Sequence, residues 1–231
     1  MTISNESRAR VKKVFEPIAL GMGRLGLTPD ALTLIGFAVT VVGAVLVAAQ
    51  QWLLGGIVVF IGGAVDMFDG TLARATGQVS KLGAFMDSVF DRAGEVIVYV
   101  GIVAALQDVG VLNGTVFAAA ALASAVMVSY TRAKSEGLGF TAGTGMAAVG
   151  IMPREVRLVV LCVGLVLAGW LGTAPSVVQG EGGAGGAAFQ LGVTVLFAAL
   201  WIITIGSIIT VIQRILHVRH QAKSQAIHPA R

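Results

Sequence analysis

The chain has 231 residues, of which 56% are hydrophobic and only 12% charged. About a quarter of the residues of a soluble globular domain are charged, so this composition excludes a pair of ordinary soluble domains and argues for one membrane bundle. The net charge of +4 does not form a nucleic-acid-binding stripe, and the single cysteine, Cys162, excludes an internal disulfide and predicts a packed core thiol.

The N-terminus is polar and basic, without the short apolar core and small-residue cleavage site of a secretory leader. Val11, Val14, Phe15, Ile18, Met22 and Leu25 then recur at helical spacing, with Arg8, Arg10, Lys12 and Lys13 mostly off that stripe. Residues 1–27 are therefore expected to form an amphipathic helix on the cytoplasmic leaflet, the alternative being a helix packed on the bundle. In "GLTPDALTL", Thr28 suits an N-cap and Pro29 a helix start.

Residues 28–216 carry six stretches long and apolar enough to cross a bilayer, which needs ~20 such residues. They run from Leu32 to Ala49, Leu53 to Ala73, Leu82 to Leu106, Thr115 to Arg132, Arg157 to Leu171 and Phe189 to Leu216. The expected fold is all-α, a six-transmembrane-helix bundle, with a Gly-rich outer loop over Gly172 to Ala188 and a basic tail at 217–231. All 16 Lys and Arg residues fall on one side of this layout, and the connections near Gln50, Asp108 and Glu181 hold none. Positive-inside bias then puts both termini and the connection between the second and third spans in the cytoplasm, in a multi-pass protein of the cell membrane. Trp52 and Trp170 near span ends suit an interfacial belt, and Trp201 suits packing. His217, His220 and His228 read as part of a solvated basic tail rather than a metal site.

The stretch "DMFDGTLARATGQVSKLGAFMDSVFDR" places Asp66, Asp69, Asp87 and Asp91 in otherwise apolar sequence. Asp66 and Asp69 are i, i+3 and share a helix face, which Gly70 and Ala73 continue almost without side chain. Gly83, Asp87 and Asp91 step by four on the next helix, and a short loop predicts that the two helices are antiparallel neighbours. Clustered carboxylates in a membrane repel one another, and a charge at the bilayer centre costs roughly 2.5–3.5 kcal/mol. A divalent cation removes both penalties. Oxygen ligands without His or Cys favour Mg²⁺ or Mn²⁺, which keep room for substrate phosphates. Arg74 and Lys81 lie at the same mouth, ready to meet phosphate oxygens. A proton- or metal-coupled transporter is the competing class, but it predicts broken helices or repeat symmetry, and neither is visible. A catalytically silent scaffold would tolerate loss of Asp91 or Arg74, and both are present.

Asp66-x-x-Asp69-Gly70-x-x-Ala73-Arg74, eight residues, then Gly83-x-x-x-Asp87-x-x-x-Asp91 resembles the signature of the CDP-alcohol phosphotransferases at every position. The resemblance implies transfer of the phosphatidyl group of a CDP-linked lipid, usually CDP-diacylglycerol, to an alcohol with release of CMP. It implies one or two divalent ions among Asp66, Asp69, Asp87 and Asp91, with Asp91 as general base. It assigns nucleotide and CDP-lipid contacts to Pro29, Asp30, Ala31, Leu32, Gly70, Ala73, Arg74, Ser80 and Gly83, and it implies a homodimer.

Arg132, Arg154, Arg157 and Arg214 fall at cytoplasmic helix ends. Several arginines facing a metal site point to an acceptor carrying its own phosphate. "MDSVFDR", "SYTRAKSEG" and "PREVR" resemble the inositol-phosphate branch of the family, with Arg132, Arg157 and Arg214 as phosphate contacts. That branch tends to have Lys where Arg132 stands and Glu-Arg-Pro-Glu-Arg where Pro153 to Arg157 stands, and Arg and Lys are not equivalent phosphate binders. Inositol 1-phosphate is the favoured acceptor and glycerol 3-phosphate the alternative.

Overall fold

The computed structural model describes residues 17–108, 113–140, 146, 149–172 and 184–227. Residues 1–16, where most of the expected amphipathic helix falls, lie outside the described residues. Residues 17–24 are helical. Ala19 is fully buried with Leu32 and Leu72, and a Cβ added at Gly23 would stand 2.8 Å from Leu72 Cδ1. At this turn the segment therefore packs on the bundle, while Ile18 and Leu25 stay exposed.

Six long helices follow: α1 (Pro29–Ala48), α2 (Trp52–Thr76), α3 (Lys81–Asp108), α4 (Gly114–Gly137), α5 (Arg154–Gly172) and α6 (Ala184–Ile227). No strand occurs among the described residues. Helix α1 starts as its sequence predicts, with Pro29 in the first turn and Thr28 Oγ1 accepting the Ala31 N–H at 3.2 Å. Helix α2 stops at Gly77, whose φ of 69° is left-handed and suits a residue without Cβ. Helix α6 begins at Ala184, inside the stretch expected to be loop; residues 173–183 of that loop are outside the described set. The same helix runs on to Ile227, so 217–227 are its polar end rather than a separate tail.

Five of these helices are long and apolar enough to cross a membrane by length and composition. Helix α3 differs because residues 81–95 carry Lys81, Asp87, Asp91, Arg92 and Glu95. With 28 residues it still measures about 42 Å at 1.5 Å per residue.

The helices form a ring. Helix α1 packs on α2 and α3, α2 on α5, α5 on α6, α6 on α4, and α4 back on α3. The expectation that α2 and α3 are packed neighbours is corrected here. They are joined by a four-residue connection, yet each leans on α1 and they make little backbone contact with one another. Both pack instead on α1, which stands between them, and only their acidic ends converge. The α1–α2 crossing is close because it is lined by glycine. A Cβ at Gly43 would stand 2.8 Å from Val59 N, and one at Gly36 would stand 3.0 Å from Gly62 O and 3.1 Å from Asp66 N. Helix α1 thus sets the position of Asp66.

The main core draws on all six helices and includes Val47, Val59, Tyr99, Ala121, Leu165, Leu196 and Leu200. Cys162 is buried there as a free thiol. Trp52 is a correction. It is 4% exposed and packs on Phe189, ring centroids 6.0 Å apart, because its own face of α2 turns inward; it is a core residue and not a belt residue. Trp170 is 67% exposed, and Trp201 stacks on Phe117 with one face outward.

Candidate active site

The i, i+3 and i, i+4 spacings bring the acidic residues together across the gap between α2 and α3. One carboxylate oxygen from each of Asp66, Asp69 and Asp87 lies within 4.8 Å of the others. Oxygens at that separation fit a shared hard cation, whose ligands sit at 2.0–2.6 Å. The donor set is oxygen only, which fits a hard divalent cation.

Asp91 sits to one side of this group. Arg154 Nη2 lies 2.5 Å from Asp91 Oδ1 and Arg154 Nη1 lies 3.6 Å from Asp66 Oδ2, so one guanidinium spans both carboxylates. Asp69 is only 7% exposed, and its Oδ2 accepts the hydroxyl of Thr33. Thr33 was not singled out from the sequence, because a threonine inside an apolar span carries no motif.

Two cavities open on either side of Asp87. The first, about 250 Å³, is lined by Pro29, Asp30, Gly70, Ala73, Arg74, Ser80 and Gly83, together with Thr33, Asp69, Gln78 and Val79. It gathers the residues expected to contact nucleotide except two. Leu32 is 1% exposed and packs with Ala19 and Leu72, and Ala31 gives its N–H to the Thr28 cap. The absence of side chains makes the room. A Cβ on Gly70 would meet Arg74 Nη1 at 3.3 Å, and one on Gly83 would stand 3.0 Å from Ser80 Oγ and 3.5 Å from Asp30 Oδ1. Ser80 also has a structural use, accepting the Gly83 N–H at 2.9 Å at the start of α3.

The second cavity, about 550 Å³, is lined by Asp87 and Asp91 and by all four expected arginines, Arg132, Arg154, Arg157 and Arg214. They are not equivalent. Arg132 pairs with Glu136 on its own helix at 3.0 Å and is partly exposed. Arg214 is 3% exposed and donates to the Val149 carbonyl at 3.0 Å and to the Val128 carbonyl. Arg157 is 1% exposed and makes a two-point pair with Glu95, 2.7 and 2.8 Å, while donating to the Met152 carbonyl at 3.2 Å. Glu95 is the second residue the sequence reading passed over, although Asp87, Asp91 and Glu95 continue one i, i+4 row. Behind Asp66, Asp91 and Arg154 a void of about 30 Å³ reaches down to Glu95. Lys81, at the mouth, is exposed.

A paired acidic cluster between a glycine-floored cavity and an arginine-lined one is arranged for phosphate chemistry on two anionic ligands at once. The family model for CDP-alcohol phosphatidyltransferase matches residues 26–218, which takes in all six helices up to the polar end of α6. The chain belongs to the CDP-alcohol phosphatidyltransferase family. Among curated relatives, the archaetidylinositol phosphate synthase of Pyrococcus horikoshii is 37% identical over 156 residues, 68% of this chain and 78% of that protein. The phosphatidylinositol phosphate synthase of Streptomyces avermitilis is 34% identical over 224 residues, 95% of this chain and 84% of its own. Among solved structures, the Mycobacterium tuberculosis phosphatidylinositol phosphate synthase with CDP-DAG bound superposes with a TM-score of 0.72 at 27% identity. The match covers 89% of this chain and 94% of that one. A structure of the same enzyme in complex with manganese and citrate gives a TM-score of 0.70. This phosphatidyltransferase is accordingly an enzyme of the membrane, and its aspartate triad has the spacing to hold a metal ion.

Proposed function

We propose that the protein transfers the phosphatidyl group of CDP-diacylglycerol to a hydroxyl of inositol 1-phosphate, releasing CMP. The observation that carries this reading is the position of Asp87 and its neighbours between the two cavities. The glycine-floored side, with Arg74 above Gly70, takes the cytidine diphosphate part of the donor, and the arginine-lined side takes a phosphorylated polyol. Five arginines around one cavity, the four expected ones and Arg92, argue for an acceptor with its own charge, and the relatives' names supply inositol phosphate as its identity.

Asp66, Asp69, Asp87 and Asp91 would hold one or two Mg²⁺ or Mn²⁺ ions. When bound, these neutralise the pyrophosphate and the charge that develops on the departing CMP. Asp91 faces the acceptor cavity and is placed to take the proton of the attacking hydroxyl. The acceptor oxygen forms a bond to the phosphatidyl phosphorus, the bond from that phosphorus to the CMP oxygen breaks, and CMP leaves with the electron pair. Asp91 is paired with Arg154 at 2.5 Å, so an incoming acceptor phosphate offers that guanidinium another anion and releases the carboxylate for its work.

In this reading α3 is the sixth crossing, both chain ends and the two cavities face the cytoplasm, and the enzyme works as a homodimer in the cell membrane. The test is CMP release by the purified protein with CDP-diacylglycerol and Mg²⁺ or Mn²⁺. Inositol 1-phosphate, glycerol 3-phosphate, free inositol and serine are offered in turn. Inositol 1-phosphate is expected to be the best acceptor, and Asp91→Asn to remove its turnover. Preference for glycerol 3-phosphate would reassign the acceptor, and turnover with serine but with neither phosphate ester would overturn the arginine argument.

A further inference from the structure

Glu95 lies outside the family's aspartate signature, one helical turn beyond Asp91. On the facing helix, Arg154 and Arg157 are i, i+3 and share a face. Helices α3 and α5 are not neighbours in the ring, so these side chains span the cleft as two rungs, Asp91 to Arg154 and Glu95 to Arg157. The rungs are built differently. Arg154, with 31% of its side chain exposed, makes one contact to each of two carboxylates. Arg157 is 1% exposed and presents its Nε and Nη2 edge to both oxygens of Glu95, with Nη1 donating to the Met152 carbonyl.

A guanidinium carries five N–H donors in a rigid fork. Three of those of Arg157 are taken, two by Glu95 and one by the Met152 carbonyl. The two that remain belong to Nη1 and Nη2, the end of the fork, and Arg157 lines the arginine-rich cavity. That end suits two-point recognition of a phosphate. We propose that Glu95 is a positioning residue for acceptor recognition: it clamps the side edge of Arg157 so that the free end of the fork meets the acceptor's phosphate. The proposal rests on the reading of this cavity as the acceptor site. It also explains how a cation can stay buried there before the acceptor arrives, since its charge is already matched.

A simple charge argument predicts the opposite sign. Glu95 is an anion beside a site for an anion, and its removal should then tighten acceptor binding. The experiment compares Glu95→Gln, Arg157→Lys and the double variant as full-length purified proteins with Mn²⁺. Initial CMP release is measured against inositol 1-phosphate and, separately, against CDP-diacylglycerol. Glu95→Gln is expected to raise KM for inositol 1-phosphate at least tenfold and to leave KM for CDP-diacylglycerol within twofold. Arg157→Lys, which keeps the charge and loses the fork, should do the same, and the double variant should be no worse than either single one within about twofold. An unchanged or lowered acceptor KM in Glu95→Gln, or an equal rise in both KM values, overturns the proposal. If Glu95→Gln does not fold, Arg157→Lys decides by the same criterion. A wild-type protein that releases no CMP with any phosphorylated polyol overturns the functional reading and this proposal with it. Normal wild-type turnover beside an indifferent Glu95→Gln overturns this proposal alone.

Discussion

Thr33→Val removes one hydroxyl and leaves the shape of the side chain almost unchanged, which makes it a clean probe of the acidic cluster. Thr33 is 5% exposed and Asp69 7%, so water does not replace the lost donor easily. The hydroxyl has one proton and two acceptors in reach, Asp69 Oδ2 and the Pro29 carbonyl at 3.2 Å, and the charged oxygen is the stronger of the two. A hydrogen bond to a charged group contributes about 1.5–3 kcal/mol. At about 1.4 kcal/mol per factor of ten, that is a loss of ~10- to ~100-fold in affinity. The same range holds for residues that orient a metal's ligands. The assay is a Mn²⁺ titration followed by electron paramagnetic resonance on purified protein without CDP-lipid. Thr33→Val should raise the Mn²⁺ Kd by ~10- to ~100-fold, while Thr33→Ser, which keeps the donor, should stay within about threefold of wild type. A Thr33→Val protein that binds Mn²⁺ as wild type does would show that Thr33 does not orient Asp69 for a cation.

Gly36→Ala puts a methyl 3.0 Å from Gly62 O and 3.1 Å from Asp66 N, so α1 and α2 must part; overpacking of this kind costs about 1–3 kcal/mol. A lower thermal midpoint together with weaker Mn²⁺ binding is expected, and unchanged Mn²⁺ binding would disconnect the crossing from the site. Gly77→Ala forces a Cβ into a left-handed residue at φ 69°, with open space around it. The cost of about 1 kcal/mol should appear as a small drop in thermal midpoint, with KM for CDP-diacylglycerol raised because the connection beside Gln78, Val79 and Ser80 shifts. Arg154→Gln frees Asp91 and Asp66 of their resident cation, so Mn²⁺ should bind more tightly while CMP release with inositol 1-phosphate falls; looser Mn²⁺ binding would contradict the ion-pair geometry.

The membrane class, the helices and the acidic signature were legible in the sequence because each is a local property. Apolar runs of about 20 residues mark the helices, and carboxylates at three- and four-residue steps fix which residues share a face without reference to any other helix. What stands across from that face is decided by the ring, in which α2 and α3 are splayed against α1 rather than packed on one another. From that order come the Thr33 donor to Asp69, the burial of Leu32 and Trp52, and the division of four similar arginines into one partly exposed, one bridging two aspartates and two nearly buried. Glu95 shows the boundary between the two kinds of information. Its place in the row with Asp87 and Asp91 is written in the spacing. Its partner, Arg157, is 62 residues away and meets it only because six helices close on themselves.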